Sequence, residues 1–88
     1  MKTNKNFVLR QVADTWIILP VGEATVDFHG MMTINETGVF LWRMMEQGCE
    51  KAALSEALVK EYEVEYSRAQ EDVESFLSRL KKVGCIDE

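Results

Sequence analysis

The chain has 88 residues, 47% of them hydrophobic, and a formal net charge of −5. This length predicts a single domain over residues 1–88, and the hydrophobic fraction excludes a disordered chain. Because an acidic surface repels the phosphate backbone, the charge disfavours nucleic acid as a partner.

The sequence offers no membrane segment. No apolar run approaches the roughly 20 residues that cross a bilayer. The first ten residues contain two lysines but no long apolar stretch behind them, so a signal peptide is not expected. We therefore expect a cytoplasmic protein whose two cysteines, Cys49 and Cys85, remain reduced.

The first third of the chain predicts three strands. Residues 6–12 alternate weakly and residues 15–21 are nearly all apolar, with turn chemistry at Asp14 between them, which is typical of a β-hairpin. A looser connection over residues 22–27 follows. Residues 31–34 then predict a third strand that places Met32 and Ile34 on one face.

The first helix is predicted to begin at a polar segment directly after this strand. Asn35 is a good N-cap, and Thr33 with Glu36 is an alternative capping box. Gly48 is expected to end the helix. Gly38 lies within the first turns, where it costs about 1 kcal/mol relative to alanine, so we expect a close packing contact there.

Two further helices complete the predicted order β-β-β-α-α-α. The second covers about residues 50–62, and the third begins at Ser67 with Gln70 as its capping-box partner. Gly84 stops the third helix, and Cys85 and Ile86 fold back as a hydrophobic tail. The apolar residues of the third helix recur at helical spacing: Ala69, Val73, Phe76, Leu77, Leu80 and Val83.

The residues needed for catalysis or metal binding are sparse. His29 is the only histidine, so a zinc site is not expected, and the scattered glycines form no phosphate-binding loop. The carboxylates Glu71, Asp72 and Glu74 are interpreted as a solvated helix face. We therefore predict a binding module that is not an enzyme and uses no cofactor.

The third strand suggests what such a module could bind. A small three-stranded sheet exposes two edges, and an exposed edge can accept an extended peptide as an added strand. If the third helix packs beside the third strand, an apolar trough lies between them. The methionines around the strand-to-helix switch suit a surface that accepts varied partners, although filling the core is the simpler interpretation for Met44 and Met45.

These pieces together resemble a known family. Residues 34–38 read INETG and are followed by Leu41-Trp42; Tyr62 closes the second helix, and the third helix carries residues 72–73, 76–77 and 80 before Gly84-Cys85-Ile86. Their order and spacing are similar to those of the PqqD-like family. The connection over residues 21–30 is longer than is usual in the pyrroloquinoline quinone member, so the chain looks more like the broad, standalone branch.

The resemblance implies an α+β, winged helix-turn-helix-like fold with a three-stranded antiparallel sheet followed by three helices. It also implies a recognition element for the leader segment of a ribosomally made precursor peptide, which it presents to a modifying enzyme such as a radical SAM protein. The leader would add to the third strand and pack against the third helix, with Arg79 and Lys82 as candidates to meet an acidic leader residue. The implied peptide-binding residues are Met31, Met32, Thr33, Ile34, Val73, Phe76, Leu77, Arg79, Leu80 and Lys82.

Two alternatives remain open from the sequence. A winged-helix DNA-binding regulator suits the fold, but the three acids in the first half of the third helix disfavour it. A small structural or dimerisation domain, in which the strand edge pairs with a second copy, is the other alternative, and it would make the protein a homodimer.

Overall fold

Three strands form an antiparallel sheet and three helices follow it. The computed structural model describes residues 2–22 and 32–87. The elements, in chain order, are β1 Lys2–Thr3, β2 Phe7–Val12, β3 Thr15–Pro20, β4 Met32–Ile34, α1 Glu36–Glu46, α2 Lys51–Tyr62, α3 Tyr66–Val83 and β5 Ile86–Asp87. The predicted α+β class and the order of the sheet and the helices are confirmed.

The sheet has the order β2-β3-β4. Ala13 and Asp14 form the two-residue hairpin turn between β2 and β3, and Ala13 takes a positive φ of 56° there. Residues on the core side line up across the sheet, with Leu9 opposite Ile18 and Ile18 opposite Met32. Since β4 pairs only with β3, its other edge has no strand beside it among the described residues.

One hydrophobic core joins the sheet to all three helices. The central contributors from α1 are Leu41, Trp42 and Met45, each at most 1% exposed. The same cluster contains buried residues of the apolar stripe of α3 and Leu54 and Leu58 of α2. Met32 and Ile34 face this core while Thr33 is exposed, so the predicted alternation of the third strand is confirmed.

The start of α1 follows the prediction. Asn35 is the N-cap, and its Oδ1 accepts the N–H of Gly38 at 2.9 Å. Thr33, the alternative cap, lies within β4 instead. The structure therefore selects Asn35, because Thr33 still belongs to the sheet ladder and only the next residues turn into the helix.

The predicted start of the third helix is wrong. Helix α3 begins at Tyr66, its N-cap is Glu65, and no side chain caps it, so Ser67 and Gln70 form no capping box. The link from α2 is short: Glu63 takes the left-handed conformation directly after Tyr62, and Val64 packs against the core. This tight turn brings the chain into helical geometry before Ser67 is reached.

The ends of the described chain pair with each other, which the sequence analysis missed. Strand β5, which includes Ile86 of the predicted tail, runs antiparallel to β1, with Thr3 opposite Ile86. The N–H of Asn4 also donates to the carbonyl of Cys85 at 2.8 Å. Strands of two residues have no periodicity that a sequence pattern could reveal.

Two residues singled out in the sequence lie outside the described residues. His29 and Met31 both belong to residues 23–31. The same range contains most of the long connection between the second and third predicted strands.

Candidate functional site

The candidate site is the unpaired edge of β4, and the pairing of the sheet determines which backbone groups point out of it. Beyond the hairpin, the N–H of Val21 donates to the carbonyl of Asn6 at 2.7 Å. In an antiparallel pair, opposite residues alternate between exchanging hydrogen bonds and pointing their groups away from each other. Counting along the register from Asn6–Val21 makes Arg10–Ile17 an exchanging pair, so the backbone groups of Ile17 face β2.

The same alternation assigns the groups of β4. Thr33 lies opposite Ile17 on the other side of β3. Because the backbone groups of Ile17 face β2, the N–H and carbonyl of Thr33 face away from β3 and toward the free edge. One residue therefore presents both a donor and an acceptor to an approaching strand.

A side chain from α3 already contacts this edge. Arg79 Nη2 donates to the carbonyl oxygen of Thr33 at 3.0 Å. Arg79 is exposed and lies 46 residues further along the chain, so this bond depends on the docking of α3 against the sheet. No bond from the N–H of Thr33 reaches any residue within the described ranges 2–22 and 32–87.

A pocket of about 300 Å³ opens between the start of α1 and the flank of α3. Buried Leu41 and Phe76 provide apolar surface in it, and Arg68, Asp72 and Arg79 provide charge. Arg68 Nε and Asp72 Oδ1 are 3.4 Å apart. Two arginines against one aspartate leave the charged side of the pocket with an excess of positive charge. The lining residues are Asn35, Thr37, Gly38, Leu41, Arg68, Asp72, Ser75, Phe76 and Arg79.

Metal binding has no support within residues 2–22 and 32–87. This part of the chain contains no group of three or more histidine, cysteine, aspartate or glutamate side chains that could hold a metal ion. Burial raises the pKa of the Cys85 thiol to about 11, so this buried thiol is a poor metal ligand or nucleophile. Desolvation also raises the pKa of Cys49.

The sequence around this site matches a known protein family. The profile described as Coenzyme PQQ synthesis protein D (PqqD) matches residues 15–86. The chain belongs to the PqqD family. The matched range contains β3, β4 and all three helices, and so includes the β4 edge and the pocket.

Solved structures with the same fold accompany this family match. One is "TbiB1 in Complex with the TbiA(beta) Leader Peptide", with a TM-score of 0.79 and 20% identity over 99% of this chain and 95% of that chain. Another is "Lasso peptide synthetase B1 complexed with the leader peptide", with a TM-score of 0.75 and 21% identity over 96% and 93%. A comparison with curated proteins gave no significant match.

The structure divides the predicted site residues of this PqqD family member into three groups. Thr33 and Arg79 meet at the β4 edge, and Phe76 joins Arg79 in the pocket. Lys82 is exposed in the last turn of α3 but does not line the pocket. The remaining described residues belong to the core: Met32, Ile34, Val73, Leu77 and Leu80.

The core residues were predicted as peptide contacts because core and groove share one apolar helix face in the sequence. Val73, Leu77 and Leu80 are at most 2% exposed, so a bound peptide could not touch their side chains in this conformation. Sequence reasoning also missed Arg68, Asp72 and Ser75. With Arg79 they recur at intervals of four, three and four residues, a polar stripe directly beside the apolar stripe of α3.

Proposed function

We propose that this PqqD family member is a non-catalytic recognition domain for the leader segment of a ribosomally made precursor peptide. The observation that carries the proposal is the outward-facing N–H and carbonyl of Thr33 beside a side-chain pocket. An extended peptide residue opposite Thr33 would exchange two backbone hydrogen bonds with it. Strand addition of this kind derives affinity from the backbone and specificity from pockets for alternate side chains.

The alternation of the added strand predicts which peptide side chains matter. The residue opposite Thr33 would point to the outer face, as the side chain of Thr33 does. Its two neighbours would point to the face of Met32 and Ile34, toward α3. A pocket of about 300 Å³ is large enough for one such side chain.

The domain would act by presenting the peptide rather than by chemistry. The proposed partners are a leader peptide and a modifying enzyme, such as a radical SAM protein, that acts on the rest of the precursor. The relatives in the two solved structures are complexes with leader peptides, which supports this assignment. In this proposal the domain works in the cytoplasm, and none of the described helices is long and apolar enough to span a bilayer.

Thr33→Pro tests the docking mode. Proline is tolerated on an edge strand where the N–H faces outward, so this change removes the donor offered to the peptide and leaves the β3–β4 ladder intact. We expect the affinity for the precursor peptide encoded beside the gene to fall about three- to tenfold, the effect of one backbone hydrogen bond. Titration calorimetry measures this affinity.

Thr33→Val is the matched control, because it changes the same side chain and keeps the N–H. Full affinity in both variants, with circular dichroism showing both folded, would contradict docking at this edge. Light scattering with and without peptide separates peptide capture from self-pairing, since a homodimer joined through β4 would dissociate as peptide binds. Failure of every neighbouring precursor to bind would refute leader recognition itself.

A further inference from the structure

The bond between Arg79 and Thr33 places a side chain where a ligand would have to bind. Resting on the proposed function, we infer that Arg79 makes, in the free protein, the hydrogen bond that a peptide N–H makes in the complex, and that it makes binding selective for peptides carrying a carboxylate beside the residue opposite Thr33. In the free protein the Arg79 guanidinium donates to the outward-facing carbonyl of Thr33. In the complex a peptide N–H takes that carbonyl and Arg79 pairs with the carboxylate.

The geometry supports the substitution. Arg79 Nη2 lies 3.0 Å from the Thr33 oxygen, the distance that the nitrogen of a strand N–H adopts in a sheet ladder. The alternation of the sheet independently directs this carbonyl to the free edge. The oxygen that a docking strand needs is therefore the one that Arg79 holds.

Displacing Arg79 has a cost that the chain does not itself offset. A hydrogen bond from a charged donor is stronger than a neutral one, so a peptide N–H replaces it at a loss. The aspartate that lines the pocket with Arg79 is Asp72, which already faces Arg68 at 3.4 Å. A released Arg79 guanidinium is therefore left to water unless the ligand supplies a carboxylate.

The position of that carboxylate follows from strand geometry. Side chains next to the residue opposite Thr33 point toward α3, the helix that carries Arg79. Arg79 is exposed, so its side chain can turn from the carbonyl to the pocket that it also lines. Arginine binds carboxylates through two parallel N–H bonds, which makes this exchange specific as well as favourable.

Arg79→Met tests the exchange, because methionine keeps an unbranched apolar stem and removes every donor. The probes are the leader peptide encoded beside the gene and the same peptide with each Asp and Glu changed to Asn and Gln. We expect the variant to bind the acidic peptide about tenfold more weakly and the neutral peptide about threefold more tightly than the wild type does. Titration calorimetry gives both affinities, and thermal melting verifies folding.

The opposite signs separate this role from simpler ones. If Arg79 only attracted acidic peptides, Arg79→Met would leave the affinity for the neutral peptide unchanged. If its role were merely structural, Arg79→Met would lower the affinity for both peptides. Either result overturns the inference and leaves the proposed function standing. Arg68→Met is the matched control, an arginine on the same stripe without a bond to β4. Arg68→Met must not increase the affinity for the neutral peptide. Absence of binding by the wild type would refute the proposed function as well.

A direct structural readout complements the affinities. In the free wild type, the Arg79 guanidinium resonances should show restrained exchange in nuclear magnetic resonance spectra, because Thr33 accepts their N–H. Binding of the neutral peptide should remove this restraint, because Arg79 loses its acceptor. Binding of the acidic peptide should keep the guanidinium restrained, because a peptide carboxylate accepts its N–H instead. Unchanged Arg79 resonances in both complexes would overturn the exchange.

Discussion

Gly38 lies where α1 packs tightly against the end of β4 and the face of α3. A Cβ atom built on Gly38 would lie 3.1 Å from Ile34 Cβ and 3.2 Å from Phe76 Cε1. The absence of a side chain thus lets α1 approach both the end of β4 and the face of α3. The contact expected from a glycine early in a helix is confirmed, and it lies at the wall of the pocket.

Gly38→Ala should therefore lower the free energy of unfolding by about 1 kcal/mol. The helix-propensity gain of about 1 kcal/mol is outweighed by overpacking, which costs about 1 to 3 kcal/mol. Urea unfolding measures the change. Phe76→Leu in the same chain relieves one of the two contacts, so the double variant should lose less stability than the sum of the single variants. Strict additivity would contradict the packing account.

Helix α3 carries two adjacent stripes with different tasks. Ala69, Val73 and Leu80 of its apolar stripe are fully buried and hold the helix against the core. The neighbouring stripe of Arg68, Asp72, Ser75 and Arg79 is polar and lines the pocket. Phe76 lies at the boundary, since it belongs to the core cluster and lines the pocket as well. The site is therefore the margin of the core rather than its centre.

The turn between α2 and α3 depends on an unfavourable backbone conformation. Glu63 is the C-cap of α2 and takes φ 52° and ψ 41°, the left-handed region that glycine adopts without a steric penalty. Its N–H bonds the carbonyl of Val59 at 3.0 Å, which completes the end of the helix.

Glu63→Gly should raise the free energy of unfolding by about 1 kcal/mol, because glycine removes the left-handed strain at an exposed position. Glu56→Gly is the matched control: it changes an exposed glutamate in the interior of α2 and should lower stability by about 1 kcal/mol. Thermal melting compares the two. Destabilisation by both changes would show that the conformation of Glu63 is not strained.

The termini of the described chain meet at a buried seam. Cys85 is fully buried, its carbonyl accepts the N–H of Asn4, and β5 pairs with β1 immediately beyond it. Strand β1 also contacts α1. Because the first and last elements close over the same core, exposure of the Cys85 thiol should require this seam to open.

The pH dependence of stability should report this seam. Burial raises the Cys85 pKa from 9.0 to about 11. Below about pH 9 the thiol is therefore protonated in the folded and the unfolded state, and its burial contributes fully to the free energy of unfolding. As pH rises toward 11 the unfolded state loses its proton first, and stability falls. Relative to Cys85→Ala, the wild type should lose about 1 to 3 kcal/mol between pH 8 and pH 11. Parallel pH profiles from urea unfolding would contradict burial of the thiol.

The charge of the whole molecule and that of its site have opposite signs. The chain carries a formal net charge of −5, and Glu71, Asp72 and Glu74 occupy the first half of α3. These negative charges disfavour the DNA binding that a winged-helix regulator performs. At the β4 edge, however, Arg79 places a positive charge beside the backbone of Thr33. A peptide that pairs with the strand and carries a carboxylate fits both facts.

The amino-acid pattern alone determined the order of the main elements, the alternation of β4 and the resemblance to the PqqD-like family, and it narrowed the cap of α1 to Asn35 or Thr33. These features depend on neighbours within a few residues, so short-range periodicity and capping chemistry are enough to predict them. The hydrogen bond between Arg79 and Thr33, the burial of Leu77, and the β1–β5 pair were decided only by the tertiary structure. Each joins residues far apart in the chain, and only the packed core places such residues within contact distance.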